Sequence, residues 1–156
     1  MKAYTDIAKP EDTPTILRMA GEFVAAKYNG IITIDPEVTT RTIEHLRENE
    51  CFLVARDASS GAPIGFICGT SAPDVFSGAE KAVEIAWWVD RQHRGQGYGF
   101  LLLAAFVKWA EDVGALAVCI ASPAVEPEAS EHSYAKMGFT RIETYWEKRL
   151  VNDARS

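Results

Sequence analysis

At 156 residues the chain has the length of one domain, long enough to bury a core. A hydrophobic content of 47% and a charged content of 24% are ordinary for a globular protein. The net charge of −6 argues against a nucleic-acid-binding surface, which needs a basic stripe, although Arg91, His93 and Arg94 form a local basic patch.

No apolar run approaches membrane-spanning length and no signal-like apolar core opens the chain, so a cytoplasmic protein without a membrane partner is expected. Cys51, Cys68 and Cys119 are odd in number and sit in apolar runs. They are expected to be buried structural thiols, with no disulfide framework and no metal site.

Lys2 to Ala8 forms a weak first strand. Thr13 as N-cap and Pro14 at the first helical position open a helix whose apolar face is Ile16, Leu17, Ala20, Phe23 and Val24. Tyr28-Asn29-Gly30 stops it. Asp35-Pro36 repeats the cap-then-proline signal for a second, more polar helix ending near Asn49. Cys51–Ala55 and Ile64–Cys68 make a hairpin across Asp57–Gly61, and the loop Ala72–Glu80 leads to a strand from Ala82 to Val89.

A glycine turn follows, and then a helix with Leu101, Leu102, Ala105, Phe106 and Trp109 on one face, ended by Gly114. Leu116–Ala121 reads as a strand buried on both sides. Glu128–Met137 reads as a short helix closed by Gly138, and Thr140–Leu150 alternates as a last strand. The expected fold is α/β of the α+β kind: a mixed, mostly antiparallel sheet flanked by helices, in the order β-α-α-β-β-β-α-β-α-β. Residues 1–150 form a single domain and 151–156 a polar tail.

The glycine turn carries the chemistry. Arg94-Gly95-Gln96-Gly97-Tyr98-Gly99 lies between a strand and a helix start. Amide groups at a helix start lack internal partners and carry the positive end of the helix dipole, so the turn suits an anion, above all a phosphate. Two familiar phosphate loops are excluded. A Walker lysine followed by Ser or Thr is missing after Gly97, and Phe100 stands where a dinucleotide fingerprint needs its third glycine.

With Arg94, Gly97 and Gly99 the turn matches the (Gln/Arg)-x-x-Gly-x-(Gly/Ala) signature, and the chain resembles the GNAT superfamily of N-acetyltransferases over nearly its whole length. Tyr134-Ala-Lys-Met-Gly138-Phe139 resembles that superfamily's second signature, Tyr-x-x-x-Gly-Phe. The family often has Asn and Ala upstream of the tyrosine; Pro127 and Ser130 stand there, so the resemblance does not carry over the cofactor contact of that Asn side chain, though it keeps the tyrosine. The Trp-Trp-Val lead-in and the closing Glu143–Leu150 are also similar to small acetyltransferases of tailed phages.

The resemblance implies acetyl-CoA, with its pyrophosphate on the backbone of Arg94, Gly95, Gln96, Gly97, Tyr98 and Gly99. It implies a pantetheine arm along Trp87, Trp88 and Val89, and a thioester in a splayed gap beside Leu116–Ala121. The Val89 amide would meet the charge developing on the carbonyl oxygen, and Tyr134 would protonate the departing thiolate or simply pack.

Glu84 is the candidate base, through water. Strand alternation sets it opposite Val83, Ile85, Trp87 and Val89, a bulge would change its face, and a solvated carboxylate is the other reading. His93 and His132 are alternatives. Tyr28, Asp74 and Phe76 are candidate acceptor contacts, and Asp74, Glu126 and Glu128 could draw a cationic amine. The implied partner is a small-molecule or peptide amine, and many members of the family form homodimers. The competing reading is a catalytically silent CoA-binding module.

Overall fold

Among the described residues five strands form one sheet in the order β1-β2-β3-β4-β5: β1 Ala3–Ile7, β2 Cys51–Asp57, β3 Pro63–Pro73, β4 Glu80–Val89 and β5 Ala117–Cys119. The first three pairings are antiparallel, whereas β4 and β5 run parallel. A parallel neighbour requires a crossover, and helix α3 (Tyr98–Asp112) supplies it. Helices α1 (Thr13–Lys27) and α2 (Pro36–Asn49) precede β2, and α4 (Pro127–Lys136) follows β5. This is the expected fold class and, as far as α4, the expected element order.

The computed structural model describes residues 2–122, 127–148 and 150. The chain divides into two compact units, Met1–Ala121 and Ser122–Ser156, and the sheet with α1, α2 and α3 belongs to the first. The polar tail 151–156 and Glu126 lie outside the described residues. Among the described residues no helix is long and apolar enough to cross a membrane.

The two faces of the sheet are packed differently. Alternate residues Phe52 and Val54, Phe66 and Cys68, and Ala86 and Trp88 join Ile16 and Met19 of α1 and Ile43 and Leu46 of α2 in one buried cluster. On the other side, α3 buries Leu102 and Phe106 completely. It approaches closely because β3 carries glycines beneath those two side chains. A Cβ on Gly65 would stand 3.3 Å from Leu102 Cδ1, and one on Gly69 would stand 2.6 Å from Phe106 Cζ and strike the Val83 carbonyl. Real side chains do not tolerate the second contact, so Gly69 fixes the depth of the helix on the sheet.

Three local expectations are corrected. Asp12, not Thr13, precedes α1, after a short 3-10 turn over Pro10–Asp12, and its carboxylate does not cap the helix. It is turned inward, accepting Arg56 Nη1 at 2.9 Å, Arg56 Nη2 at 2.6 Å and the Lys9 amide at 2.7 Å. Burial is the largest single effect and would raise the Asp12 pKa, but the Arg56 hydrogen bonds, the Lys9 amide and the two positive charges together outweigh it and hold the carboxyl below its usual range. Asp35, by contrast, caps α2 as expected, accepting the amides of Glu37 and Val38 at 3.0 Å.

Second, β5 spans only three residues and is not buried on both sides: Leu116 is 80% exposed and Cys119 is also exposed, while Cys51 and Cys68 are buried. Third, residues 140–148 have no regular structure, and Ile142, Tyr145 and Trp146 are exposed. Alternation specifies two faces but supplies no hydrogen-bonding partner. Among the described residues of the second unit there is no other strand for this segment to pair with.

Candidate active site

The site is organised by the two ends of β4. At its start, Lys81, Ala82 and Val83 pair with Ala117, Val118 and Cys119 of β5, and that ladder stops at Val83. The ladder to β3 continues to Val89. Beyond Val83, where β5 ends at Cys119, β4 therefore keeps only its β3 neighbour in the sheet. Just there the β3 ladder slips: Gly69 faces Glu84 and Cys68 faces Ala86, leaving Ile85 as a bulge.

Hydrogen-bond phase gives the backbone direction at the far end of β4. The Asp90 amide donates to Ile64 O at 3.0 Å, so the intervening Val89 N–H and C=O point to the opposite edge, where β5 no longer pairs. Arg94 agrees: its Nε donates to Val89 O at 2.9 Å.

Beyond β4 the chain makes a 3-10 turn over Arg91–His93, with the His93 amide donating to Asp90 O. Asp90 is buried and takes a two-pronged contact from Arg18 of α1, Nη1 to Oδ1 at 3.1 Å and Nη2 to Oδ2 at 2.7 Å. That bond raises the Arg18 pKa further and ties α1 to the start of the turn. Sequence reasoning missed this pair. A lone aspartate after an apolar strand was the only signal, and its partner lies 72 residues away.

Gly97 then sits in the left-handed region at φ +86° and ψ 0°, and serves as the N-cap of α3. A side chain there would be strained, which is why glycine occupies it. The first helical amides, Tyr98, Gly99 and Phe100, have no intrahelical acceptor. A Cβ on Gly95 or Gly97 would meet nothing within 4 Å, so the outer side of the turn is open to a ligand. Gly99 does a different job, since a Cβ there would stand 3.1 Å from the Trp87 ring. Gln96 braces the turn, its Nε2 donating to Gln92 O at 3.2 Å and its Oε1 accepting the Tyr98 hydroxyl at 3.3 Å.

The two tryptophans point apart. Trp88 belongs to the core cluster on the α1–α2 side, while Trp87 packs at the start of α3. The Arg94 guanidinium lies 4.3 Å from the centroid of Trp88.

Glu84 stands just beyond the end of the β4–β5 ladder. Its Oε2 accepts the Ala121 amide at 3.3 Å. Burial pushes its pKa up to about 7, against smaller opposing effects of that amide and the Lys27 charge. Burial, and after it the Glu84 charge, raises the Cys68 thiol. Burial likewise pushes Cys51 up to about 12, and neither buried thiol is poised as a nucleophile.

Tyr28 caps the end of α1, with Lys27 Nζ 5.4 Å from its ring. Asp74 and Phe76 occupy the turn between β3 and β4. Phe76 is 97% exposed, and the Asp74 carboxylate is surrounded by donors from its own turn and from Lys81.

Tyr134 belongs to the second unit. It is buried, and its ring centroid lies 5.8 Å from that of Phe139, whose amide donates to Tyr134 O. Gly138, at φ +80°, ends α4 between them. His93 packs near Tyr98, with ring centroids 6.2 Å apart, and His132 is exposed on α4.

Similar folds occur among solved structures. Glucosamine-6-phosphate N-acetyltransferase from Arabidopsis thaliana is 14% identical at a TM-score of 0.75, with 97% of this chain and 100% of that one covered. A transcriptional regulator from Bacillus halodurans C-125 is 17% identical at 0.76, covering 95% and 99%. A ribosomal-protein-alanine N-acetyltransferase from Brucella melitensis biovar Abortus 2308 is 16% identical at 0.68, also covering 95% and 99%. At these identities the likeness is one of fold. No functionally curated protein matches by sequence. The profile of the Acetyltransferase (GNAT) family matches residues 12–139, from the start of α1 to the phenylalanine after Gly138, and the chain belongs to that family of acyl-transferring enzymes.

Proposed function

We propose that the protein is an acetyl-CoA-dependent N-acetyltransferase that moves an acetyl group to a primary amine of a small molecule or peptide, by direct attack in a ternary complex. The observation that carries this reading is the join of three features on one strand: the end of the β5 ladder partway along β4, the outward Val89 amide, and the glycine turn opening α3. When bound, acetyl-CoA supplies a thioester already activated for acyl transfer.

The residues present fit that donor. The amides of the turn and of the first α3 residues, with Arg94, hold a pyrophosphate. Trp87, Trp88 and Val89 offer an extended edge to an amide-bearing arm, as an added strand would use it. The Val89 N–H stabilises the negative charge that develops on the carbonyl oxygen.

An amine must be neutral to attack, and a free alkylammonium has a pKa of about 10.4. Glu84, titrating near neutrality, takes its proton through a water. Tyr134 returns a proton to the departing thiolate. Tyr28 and the Asp74–Phe76 turn border the acceptor. The two similar enzymes named for a sugar phosphate and for a protein alanine share this fold with different acceptors, so the fold does not choose the amine.

Acetyl-CoA at about a hundred times its dissociation constant should stabilise the protein by roughly 2.7 kcal/mol. Thermal melting measures this, and no shift at any acetyl-CoA concentration overturns the reading. An amine panel with thiol-release detection, spanning polyamines, aminoglycosides, amino acids and peptide N-termini, then identifies the acceptor. Binding without release across the panel would favour a silent CoA module.

A further inference from the structure

We infer that Trp88 is a positioning residue for the donor: its indole face fixes the Arg94 guanidinium beside the glycine turn, and so sets the affinity for a donor that carries a pyrophosphate. The inference rests on the acyl-transfer reading but concerns a side chain that reading does not use. Its basis is a two-point hold on an otherwise solvent-facing arginine. Nε of Arg94 is committed to Val89 O at 2.9 Å, and the guanidinium carbon lies 4.3 Å from the Trp88 centroid. The first contact fixes the end of the side chain along the strand. The second fixes the plane of the fork and leaves Nη1 and Nη2 for phosphate oxygens.

The platform itself is rigid. Trp88 is 9% exposed, faces Phe66 across the β3–β4 ladder, and meets the ring of Phe23 on α1 edge-on at 6.3 Å and 79°. As a mere filler of this core a tryptophan is a poor choice. Among the described residues its Nε1 is buried without a hydrogen-bond partner, a desolvation cost that leucine or phenylalanine would avoid. The π-face toward Arg94 is what those smaller residues would weaken or lose.

The test is direct binding, by calorimetry, of acetyl-CoA and of acetyl-pantetheine, which lacks the pyrophosphate. Trp88→Leu should weaken acetyl-CoA about tenfold, weaken acetyl-pantetheine by much less, and add little once Arg94→Ala is present. Trp88→Phe, which keeps a ring face, should recover most of the loss. Equal losses for both donors, or full additivity with Arg94→Ala, would make Trp88 a packing residue and overturn the inference.

A wild-type measurement stands even where Trp88→Leu fails to fold. The Arg94 side-chain resonances should be shifted upfield by the indole ring current, and averaged, unshifted resonances also overturn it. Wild-type protein that binds neither donor removes the acyl-transfer reading, and this role with it. Wild-type binding with an unaffected Trp88→Leu removes the role of Trp88 alone.

Discussion

Two acids of the candidate site, Glu84 in the middle of β4 and Asp74 in the turn before it, have opposite surroundings. Asp74 is ringed by donors: Lys81 Nζ at 2.7 Å, the Ser77 amide at 2.9 Å and hydroxyl at 2.8 Å, and the Phe76 amide at 3.2 Å. Lys81 first, and then these turn donors, hold its carboxyl well below the usual range. Glu84 has one amide, at 3.3 Å, and burial pushes it up to about 7. Divergent environments separate roles. Asp74 is permanently charged and committed to its own turn, whereas Glu84 is poised to exchange a proton at neutral pH. The acid proposed as the base is the one the chain leaves under-solvated.

The sharpest way to break this contrast is Glu84→Gln, which keeps shape and removes basicity. Turnover should fall by about 10²- to 10⁴-fold, and the rising limb of the pH–rate profile, centred near pH 7 in the wild type, should vanish. Stability gives a second readout. A raised folded pKa means the fold favours the protonated acid, so that contribution is complete below the ordinary glutamate pKa and is lost as pH rises through about 7. The Gln variant should therefore melt higher than wild type at pH 8 and equally near pH 4. A pH-independent melting difference would mean that Glu84 does not titrate in the folded protein as described.

How much of this could be read from the chain follows physical lines. The glycine turn was legible because left-handed backbone and helix starts leave local marks, and the caps of α2 and α4 were legible for the same reason. The bulge at Ile85 could be expected but not located, since it arises from the register between two strands. The pairs Arg18–Asp90 and Arg56–Asp12 are long-range, joining residues that no local pattern in the chain connects. The strand expected over Thr140–Leu150 shows the limit most clearly. Its alternation is real, but pairing is a property of the neighbour rather than of the segment.

If Glu84 accepts the proton from the amine, expulsion of the thiolate is assisted when a group supplies one to it, and Tyr134 of the second unit is the proposed donor. Tyr134→Phe should reduce turnover about tenfold to a hundredfold, less than the Glu84 change, while acetyl-CoA affinity stays within about twofold. Rapid-quench kinetics must first show that chemistry limits the rate. A proportional loss of affinity would return Tyr134 to packing, alongside Phe139. Unaltered turnover would point to direct departure of the thiolate.

The smallest effects sharpen the other half of the contrast, because the molecule contains a control for Asp74. Asp57–Gly61 between β2 and β3 repeats the Asp-x-x-Ser-Gly turn of Asp74–Gly78. In both, the aspartate Oδ1 takes the two turn amides that follow, and the closing glycine amide donates to the aspartate carbonyl at 2.8 Å. The tips differ: Ala58 and Ser59 in one, and Val75 and Phe76, at 88% and 97% exposure, in the other.

Hydrogen bonds from Ser59 and Ser60 lower Asp57 to about 2, so each aspartate adds stability above the ordinary carboxylate pKa that is lost as pH falls. Asp57→Ala and Asp74→Ala should each lower the melting temperature by a few degrees at pH 7, with the differences from wild type fading in acid. Only the second should raise the acceptor KM, by roughly threefold to tenfold, the worth of one aromatic contact presented by the turn. Phe76→Ala should reproduce that KM change without the loss of stability. An unchanged KM in both Asp74→Ala and Phe76→Ala would remove the turn from the acceptor site and leave Asp74 with the same purely architectural role as Asp57.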